Sequence, residues 1–237
     1  MTLLTIKKPT VEYIRPPFTE AHITIIEGDM RSGKTCTATA RVVDAYFKDC
    51  FRVYCKIKYK IDCEVKKYDK SSRMAVISYK GQKKLLRVPV DYKMWSPMPI
   101  FCNYHLFGVP FHYLPSFGIA LDWIKKGTIR NAYLVLDEAY VGLSARGSMM
   151  ELGRAFASTY HQFAKMQLDT IIITPMARQI DWIARTIPTE HIHCSYNSKT
   201  YKISLSIRKR GMQGEQIVEY DARQYWKYYK TGEIVTQ

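Results

Sequence analysis

AHITIIE at residues 21–27 runs directly into GDMRSGKT at residues 28–35, and this junction decides the fold. The first stretch is rich in β-branched residues and reads as a buried strand. Gly28-Asp29-Met30-Arg31-Ser32-Gly33-Lys34-Thr35 matches the pattern G-x-x-x-x-G-K-[ST] in full. Beyond it, Ala38, Val42, Ala45 and Tyr46 fall at helical spacing, which predicts a helix from about Gly33 to Phe47. Strand, glycine-bounded turn and helix is the order a phosphate-binding loop requires. Glycines let the backbone wrap closely round phosphates. The loop's N–H groups and the helix N-terminus then face the negative charge. Residues 28–36, from Gly28 through Asp29, Met30, Arg31, Ser32, Gly33, Lys34 and Thr35 to Cys36, are the predicted ATP contacts. Lys34 is expected to reach the β- and γ-phosphates, and the Thr35 hydroxyl to ligate Mg²⁺.

A second feature lies about 100 residues downstream. NAYLVLDEAY at residues 131–140 is an apolar run ending in two acids. It places carboxylates at the C-terminal edge of a strand, where α/β sheets bind ligands. Asp137 is the predicted metal residue, and Glu138 the group that orients and polarises attacking water. Neighbours on an extended strand point to opposite faces, so the two roles differ unless the chain turns there. LDTIIIT at residues 168–174 is a third buried strand, and Thr174 at its tip is the candidate γ-phosphate sensor. Arg178 and Arg185 flank a short helical stretch after it. They are candidates for an arginine reaching a neighbouring subunit's nucleotide, with Arg146 and Arg154 as rivals.

Helices between buried β-runs argue for an α/β fold with a mostly parallel central sheet. The chain reads as one domain over residues 1–237, carrying a β-rich basic insertion at 51–98 and C-terminal strands with a tail at 192–237. Within the insertion, FRVYCKIKYKIDCEVKKY alternates apolar and polar residues and predicts strands. Lys56, Lys58 and Lys60 then share one strand face. Lys66, Lys67, Lys83 and Lys84 in neighbouring runs complete a basic flap, and Lys80-Gly81-Gln82 marks a turn. Phe117–Lys126 reads as a short helix, and 149–167 as a longer one. Tyr225, Trp226, Tyr228 and Tyr229 read as a final helix packed on the core, with base stacking as the alternative.

Composition narrows the partners. At 237 residues and 47% hydrophobic the chain has material for a core, while a net charge of +15 points to nucleic acid or an anionic membrane surface. No apolar run approaches the roughly 20 residues that span a bilayer. Six scattered cysteines suit a reducing cytosol. Cys50, Cys55, Cys63 and the run His191-Ile192-His193-Cys194 lack zinc-ligand spacing, and these cysteines read as buried or half-buried strand residues.

The ordered set of motifs resembles the HerA–FtsK superfamily of P-loop motors. Within it, the chain is similar to the small genome-packaging ATPases of archaeal and other membrane-containing icosahedral viruses, and to the Zot-type assembly ATPases of filamentous phages. The residues that carry this are GDMRSGKT, the segment Phe101-Cys102-Asn103-Tyr104-His105-Leu106, the strand LVLDEAY and the loop with Ser144-Ala145-Arg146. QIDWIAR at 179–185 and the ending YDARQYWKYYKTGEIV follow in order. The resemblance implies a RecA/FtsK-like P-loop NTPase fold and ATP hydrolysis with Mg²⁺. It also implies a homo-oligomeric ring, a hexamer, translocating double-stranded DNA into a preformed capsid. The expected contacts are capsid or internal membrane proteins, in the host cytoplasm or at the packaging vertex, with no integral membrane segment. Two alternatives stay open: a Zot-type assembly or extrusion motor, and a non-hydrolysing, nucleotide-gated DNA-binding protein. The family has Gln at the sensor tip where Thr174-Pro175 stands, and a basic run where Gln162-Phe163-Ala164-Lys165 stands. Thr174, Lys165 and Arg146 are the residues available for the sensing and trans-acting roles.

Overall fold

A computed structural model describes residues 22–96, 98–138, 158–159, 161–175 and 186–230. Among the described residues the chain divides into two compact units, one of residues up to 43 together with those from 99 onward, and one of residues 44–98.

The larger unit is built on an eight-stranded sheet. Its strands are β1 (His22–Glu27), β5 (Ile100–Cys102), β6 (His112–Tyr113), β7 (Ala132–Leu136), β8 (Leu168–Thr174), β9 (Glu190–Asn197), β10 (Lys202–Lys209) and β11 (Gln216–Asp221). Their order is β11-β10-β9-β1-β8-β7-β5-β6. Neighbours from β9 to β6 are parallel, and β10 and β11 are added antiparallel. All five residues of β7 are buried, and so are all but Asp169 in β8, as expected of strands covered on both faces. The C-terminal strands instead alternate buried with open positions. Ile23, Ile25, Leu134, Leu136 and Ile172 pack with Ala120, Leu121 and Ile124 of the helix α2 (Phe117–Lys125). Ser116 caps that helix by accepting a hydrogen bond from the Ile119 N–H at 3.3 Å. The predicted 149–167 helix lies largely outside the described residues; 161–165 are helical.

The helix after the loop, α1 (Lys34–Tyr59), is longer than the sequence reading predicts, and this overturns one expectation. Residues 51–59 are helical, so Lys56, Lys58 and Lys60 do not line a strand face. Lys56 and Lys58 sit about 200° apart round the helix axis, and Lys60 follows its end with φ 56°. FRVYCKIKY carries two periods at once. Its alternation suits a strand, but Phe51, Tyr54 and Cys55 fall at i, i+3 and i+4 and are buried. With no Gly or Pro near Phe47, no breaker ends the already nucleated helix at the predicted boundary. Cys50 and Cys55 are accordingly buried helix residues rather than strand residues.

In the smaller unit, Phe51, Tyr54 and Cys55 pack on a three-stranded antiparallel sheet. It comprises β2 (Glu64–Asp69), β3 (Met74–Tyr79) and β4 (Gln82–Arg87). Lys80 and Gly81, with φ of 48° and 76°, form the tight turn of the β3–β4 hairpin. Val65, Ala75, Ile77 and Leu86 are buried on the inner face. Cross-strand partners share a face, so Lys67, Val76 and Leu85 lie in one outer row. Lys83 beside Ser78 and Arg87 beside Met74 lie in the rows next to it. Asp44–Met98 carries fourteen Lys/Arg against six Asp/Glu, so more than half of the net charge sits in this unit.

The C-terminal aromatic run forms two short 3₁₀ turns, Ala222–Gln224 and Trp226–Tyr228, in place of the predicted final helix. Tyr228 and Tyr229 are buried, whereas Tyr225 and Trp226 are half-open. Among the described residues no helix is long and apolar enough to cross a membrane.

Candidate nucleotide-binding site

Two glycines shape the loop between β1 and α1. Gly28 has φ 151°, and a Cβ there would lie 2.5 Å from both the Cys194 carbonyl oxygen and Ser32 Oγ. Gly33 has φ 87°, and its Cβ would meet the Ile203 side chain at 2.5 Å. Neither position accepts a side chain, so β9 and β10 hold the loop from one side. Arg31 supplies a further left-handed residue at φ 62°, and Met30 at the tip is 79% exposed. The Gly28 N–H donates to the Pro175 carbonyl at 3.3 Å, tying the loop to the end of β8.

Lys34 Nζ donates to the Gly28 and Asp29 carbonyls at 2.9 and 2.7 Å, spanning the loop's mouth. Thr35 Oγ1 donates to Asp137 Oδ2 at 2.7 Å. Residues 102 positions apart thus meet at the C-terminal edge of the sheet. Thr174 is buried there, opposite Glu27 in register and two positions beyond the Leu136–Ile172 pair. Its strand lies between β1 and β7, so Thr174 stands between the loop and the acidic pair. Glu138 is exposed and has φ 52°, and its N–H donates to Asp137 Oδ1 at 2.8 Å. The chain turns at this residue, which removes the opposite-faces constraint of a continued strand. Lys165 is exposed and precedes β8, at the sheet edge opposite the loop, so the fold does not bring it to the site of its own chain. Arg146, Arg154, Arg178 and Arg185 lie outside the described residues.

Sequence reasoning places Asn103 in a matching segment but gives it no role in the site. Its side chain accepts from the Asp137 N–H at 2.7 Å and donates to the Asp137 carbonyl at 2.8 Å. This continues the β5–β7 pairing by side chain after the β5 backbone has left it. A polar residue directly after the apolar strand Ile100–Cys102 is the same signal that marks Asp137. Asn103→Ala is expected to raise the Mg²⁺ concentration for half-maximal turnover about tenfold. The two hydrogen bonds it removes are worth roughly 1–3 kcal/mol together. A Mg²⁺ titration beside a melting curve checks this; a lower Tm with an unchanged Mg²⁺ requirement would make Asn103 a purely structural residue.

Beneath the loop the surroundings are neutral. Burial pushes the Cys36 thiol up, and pushes Cys194 up to about 11 although Thr37 bonds it, so neither is a thiolate near neutral pH. Thr37 bonds the Gly33 carbonyl at 3.0 Å and the Tyr220 hydroxyl at 2.9 Å. Thr39 meets the Tyr104 hydroxyl at 3.0 Å. His191 and His193 alternate along β9 with the buried Ile192 and Cys194. Among the described residues no three His, Cys, Asp or Glu side chains gather to hold a metal.

The residues present fit a magnesium–nucleoside triphosphate. Thr35 and Asp137 offer hard oxygen donors, and Mg²⁺ characteristically takes only one or two protein ligands beside phosphates and water. Ser32 Oγ is buried inside the loop with no hydrogen-bond partner among the described residues, as a ligand-facing hydroxyl would be.

No family model and no curated protein matches this sequence. Among solved structures, the N-terminal domain of zonular occludens toxin from Neisseria meningitidis is similar, with a TM-score of 0.52 and 16% identity over 89% of this chain and all of that one. A KaiC-like protein from Pyrococcus horikoshii gives 0.44 and 14%, over 85% of this chain and 84% of that one. The DNA-packaging ATPase from Sulfolobus Turreted Icosahedral Virus gives 0.43 and 12%, over 84% and 98%. The first of these likenesses, with the loop, helix and acidic strand in place, shows the fold: the chain is an α/β protein of the P-loop NTPase class.

Proposed function

We propose that this chain is an ATPase that drives double-stranded DNA into a preformed viral capsid. The observation that carries hydrolysis is the Thr35–Asp137 contact, which joins the phosphate loop to the acidic strand at a sheet edge where Asn103 and Thr174 also converge. Loop N–H groups and Lys34 hold the triphosphate and take up charge as the γ-phosphoryl transfers. Thr35 and Asp137 would hold Mg²⁺, which supplies neutralisation of the phosphate oxygens. Glu138 orients the attacking water and draws its proton, and Thr174 reads the γ-phosphate end. Arg146 and Arg185 remain the proposed trans-acting arginines of a ring.

Duplex DNA as the cargo is supported by the net charge, its concentration in Asp44–Met98, and the resemblance of the sequence to viral packaging ATPases. The proposed grip is the outer face of β2–β4, where Lys67, Lys83 and Arg87 are exposed. A motor must hold any sequence, so it should contact phosphates rather than base edges. The second reading, a Zot-type assembly or extrusion ATPase, is favoured by the likeness to the zonular occludens toxin domain over that domain's whole length.

Phosphate release with and without linear duplex DNA tests the proposal, and several-fold stimulation is expected. Lys67→Gln, Lys83→Gln and Arg87→Gln together should leave DNA-free turnover unchanged. They should weaken duplex binding alike on all sequences and lower its salt slope by roughly 0.9 for each phosphate no longer neutralised. Turnover indifferent to DNA would favour the assembly reading. ATP binding without turnover would favour a nucleotide-gated DNA-binding protein. An unchanged slope would take this face out of the DNA path.

A further inference from the structure

A triphosphate held by this loop has two ends, and the residues already described engage only one. Thr35 and Asp137 place the metal and γ-phosphate on the β7 side of β1. The nucleoside must therefore leave towards the other neighbour of β1, which is β9. That strand runs past the loop: Glu27 is level with His193, and Cys194 backs onto Gly28. In the next strand Ile203 backs onto Gly33, and Tyr201 lies two residues before it.

At that place the chain builds a half-open aromatic corner. The Tyr201 ring meets Trp226 edge-on, with centroids 5.7 Å apart and planes at 81°. The Arg223 guanidinium lies 5.1 Å from the Tyr201 ring centre. Arg223 is held there by Asp221, whose two carboxylate oxygens accept from Nε at 2.9 and 3.1 Å. Tyr201 is still 40% exposed. Two hydrogen bonds connect the corner to the phosphate site. Cys36, directly after Thr35, donates from Sγ to the Ala222 carbonyl at 3.8 Å. The Ala222 N–H in turn donates to the Tyr201 carbonyl at 2.9 Å.

Tyr201 also has φ 57°, a conformation that disfavours a bulky aromatic residue and that Gly or Asn would adopt with less strain. Tyr228 and Tyr229 are buried and are accounted for by packing, but the exposed surface of Tyr201 and of the half-open Trp226 is not.

We propose that Tyr201, Trp226 and Arg223 form the platform on which the nucleobase of the bound triphosphate stacks. The inference rests on the phosphate-loop reading and adds the base end of that site. Aromatic faces beside a cation suit the π-face of a base, and Asp221, engaged by Arg223, fixes the cation in place.

Equilibrium binding of Mg·ATP and of Mg·tripolyphosphate to the full chain separates the two ends. The wild type should bind both, and ATP more tightly. Tyr201→Gly removes the ring and relieves the backbone, so its Tm should not fall. Trp226→Ala removes the second ring. Each should weaken ATP about tenfold, within the range for removing one base–aromatic stack, and leave tripolyphosphate unchanged. Tyr201→Phe should bind ATP like the wild type. Unchanged ATP affinity in both ring-less variants, or equal weakening of ATP and tripolyphosphate, overturns the platform. A wild type that binds neither ligand overturns the phosphate-loop reading itself, a result distinct from either.

Discussion

Lys34→Ala is expected to cut ATP hydrolysis by on the order of 10²–10³-fold or more, the range for removing one preorganised group that stabilises transition-state charge. The ammonium has no substitute nearby in the loop. It reaches the carbonyls of Gly28 and Asp29, so it already stands across the mouth in which the β- and γ-phosphates would lie. Alanine removes both the charge and the two bonds that brace the loop. Arg31 is exposed in the loop, whereas the Lys34 ammonium is fixed by two hydrogen bonds at the first turn of α1. Steady-state phosphate release at saturating Mg·ATP, with a melting curve alongside, checks the prediction. The loop is at the surface, so Tm should change little while turnover collapses. Near-normal turnover would remove the phosphate-loop assignment.

The sequence and the fold agree most closely where side-chain chemistry and backbone geometry ask for the same residues. Gly28 and Gly33 are legible because only glycine leaves room for the Cys194 carbonyl and the Ile203 side chain. β7 and β8 are legible because strands covered on both faces are dominated by apolar residues, here Tyr133–Leu136 and Ile171–Ile173. What is not legible depends on partners distant in sequence. Residues 51–59 satisfy a two-residue and a helical period together, and only packing of Phe51, Tyr54 and Cys55 against β2–β4 decides between them. Asn103 lies in the segment Phe101–Leu106 that carries the resemblance, but its role follows only from the parallel pairing of β5 and β7, which places it beside Asp137. The Tyr201–Trp226 corner is invisible for the same reason, since it needs the β9–β10 turn and the chain after β11 to meet. Lys165 is the opposite case. Its position along the chain suits a sensing or trans-acting role, and the direction of β8 puts it at the far edge.

Glu138→Gln is expected to slow hydrolysis by on the order of 10²-fold or more, typical of removing a general base, while ATP stays bound. The amide keeps the length and shape of the side chain but takes up a proton poorly. Asp137 is untouched, and with Thr35 it still offers the oxygens for the metal, so Mg·ATP should accumulate on the variant. Asp137→Asn should do the reverse and weaken Mg·ATP binding, because the Oδ2 acceptor that meets Thr35 loses its charge. Glu138 also has a competing explanation, that it only serves the turn after β7. Its φ of 52°, close to that of the turn residue Lys80 at 48°, is compatible with both roles. Glu138→Gly separates the two. If the residue only makes the turn, glycine should hold or raise Tm and keep turnover. If its carboxylate acts on water, glycine should hold Tm and lose turnover as far as Gln does. Trapped nucleotide is read by filtration with labelled ATP, and turnover by phosphate release. Normal hydrolysis by Glu138→Gln together with normal Mg·ATP binding by Asp137→Asn would show that the roles given to the pair are wrong. The water-activating group would then have to be sought beyond β7.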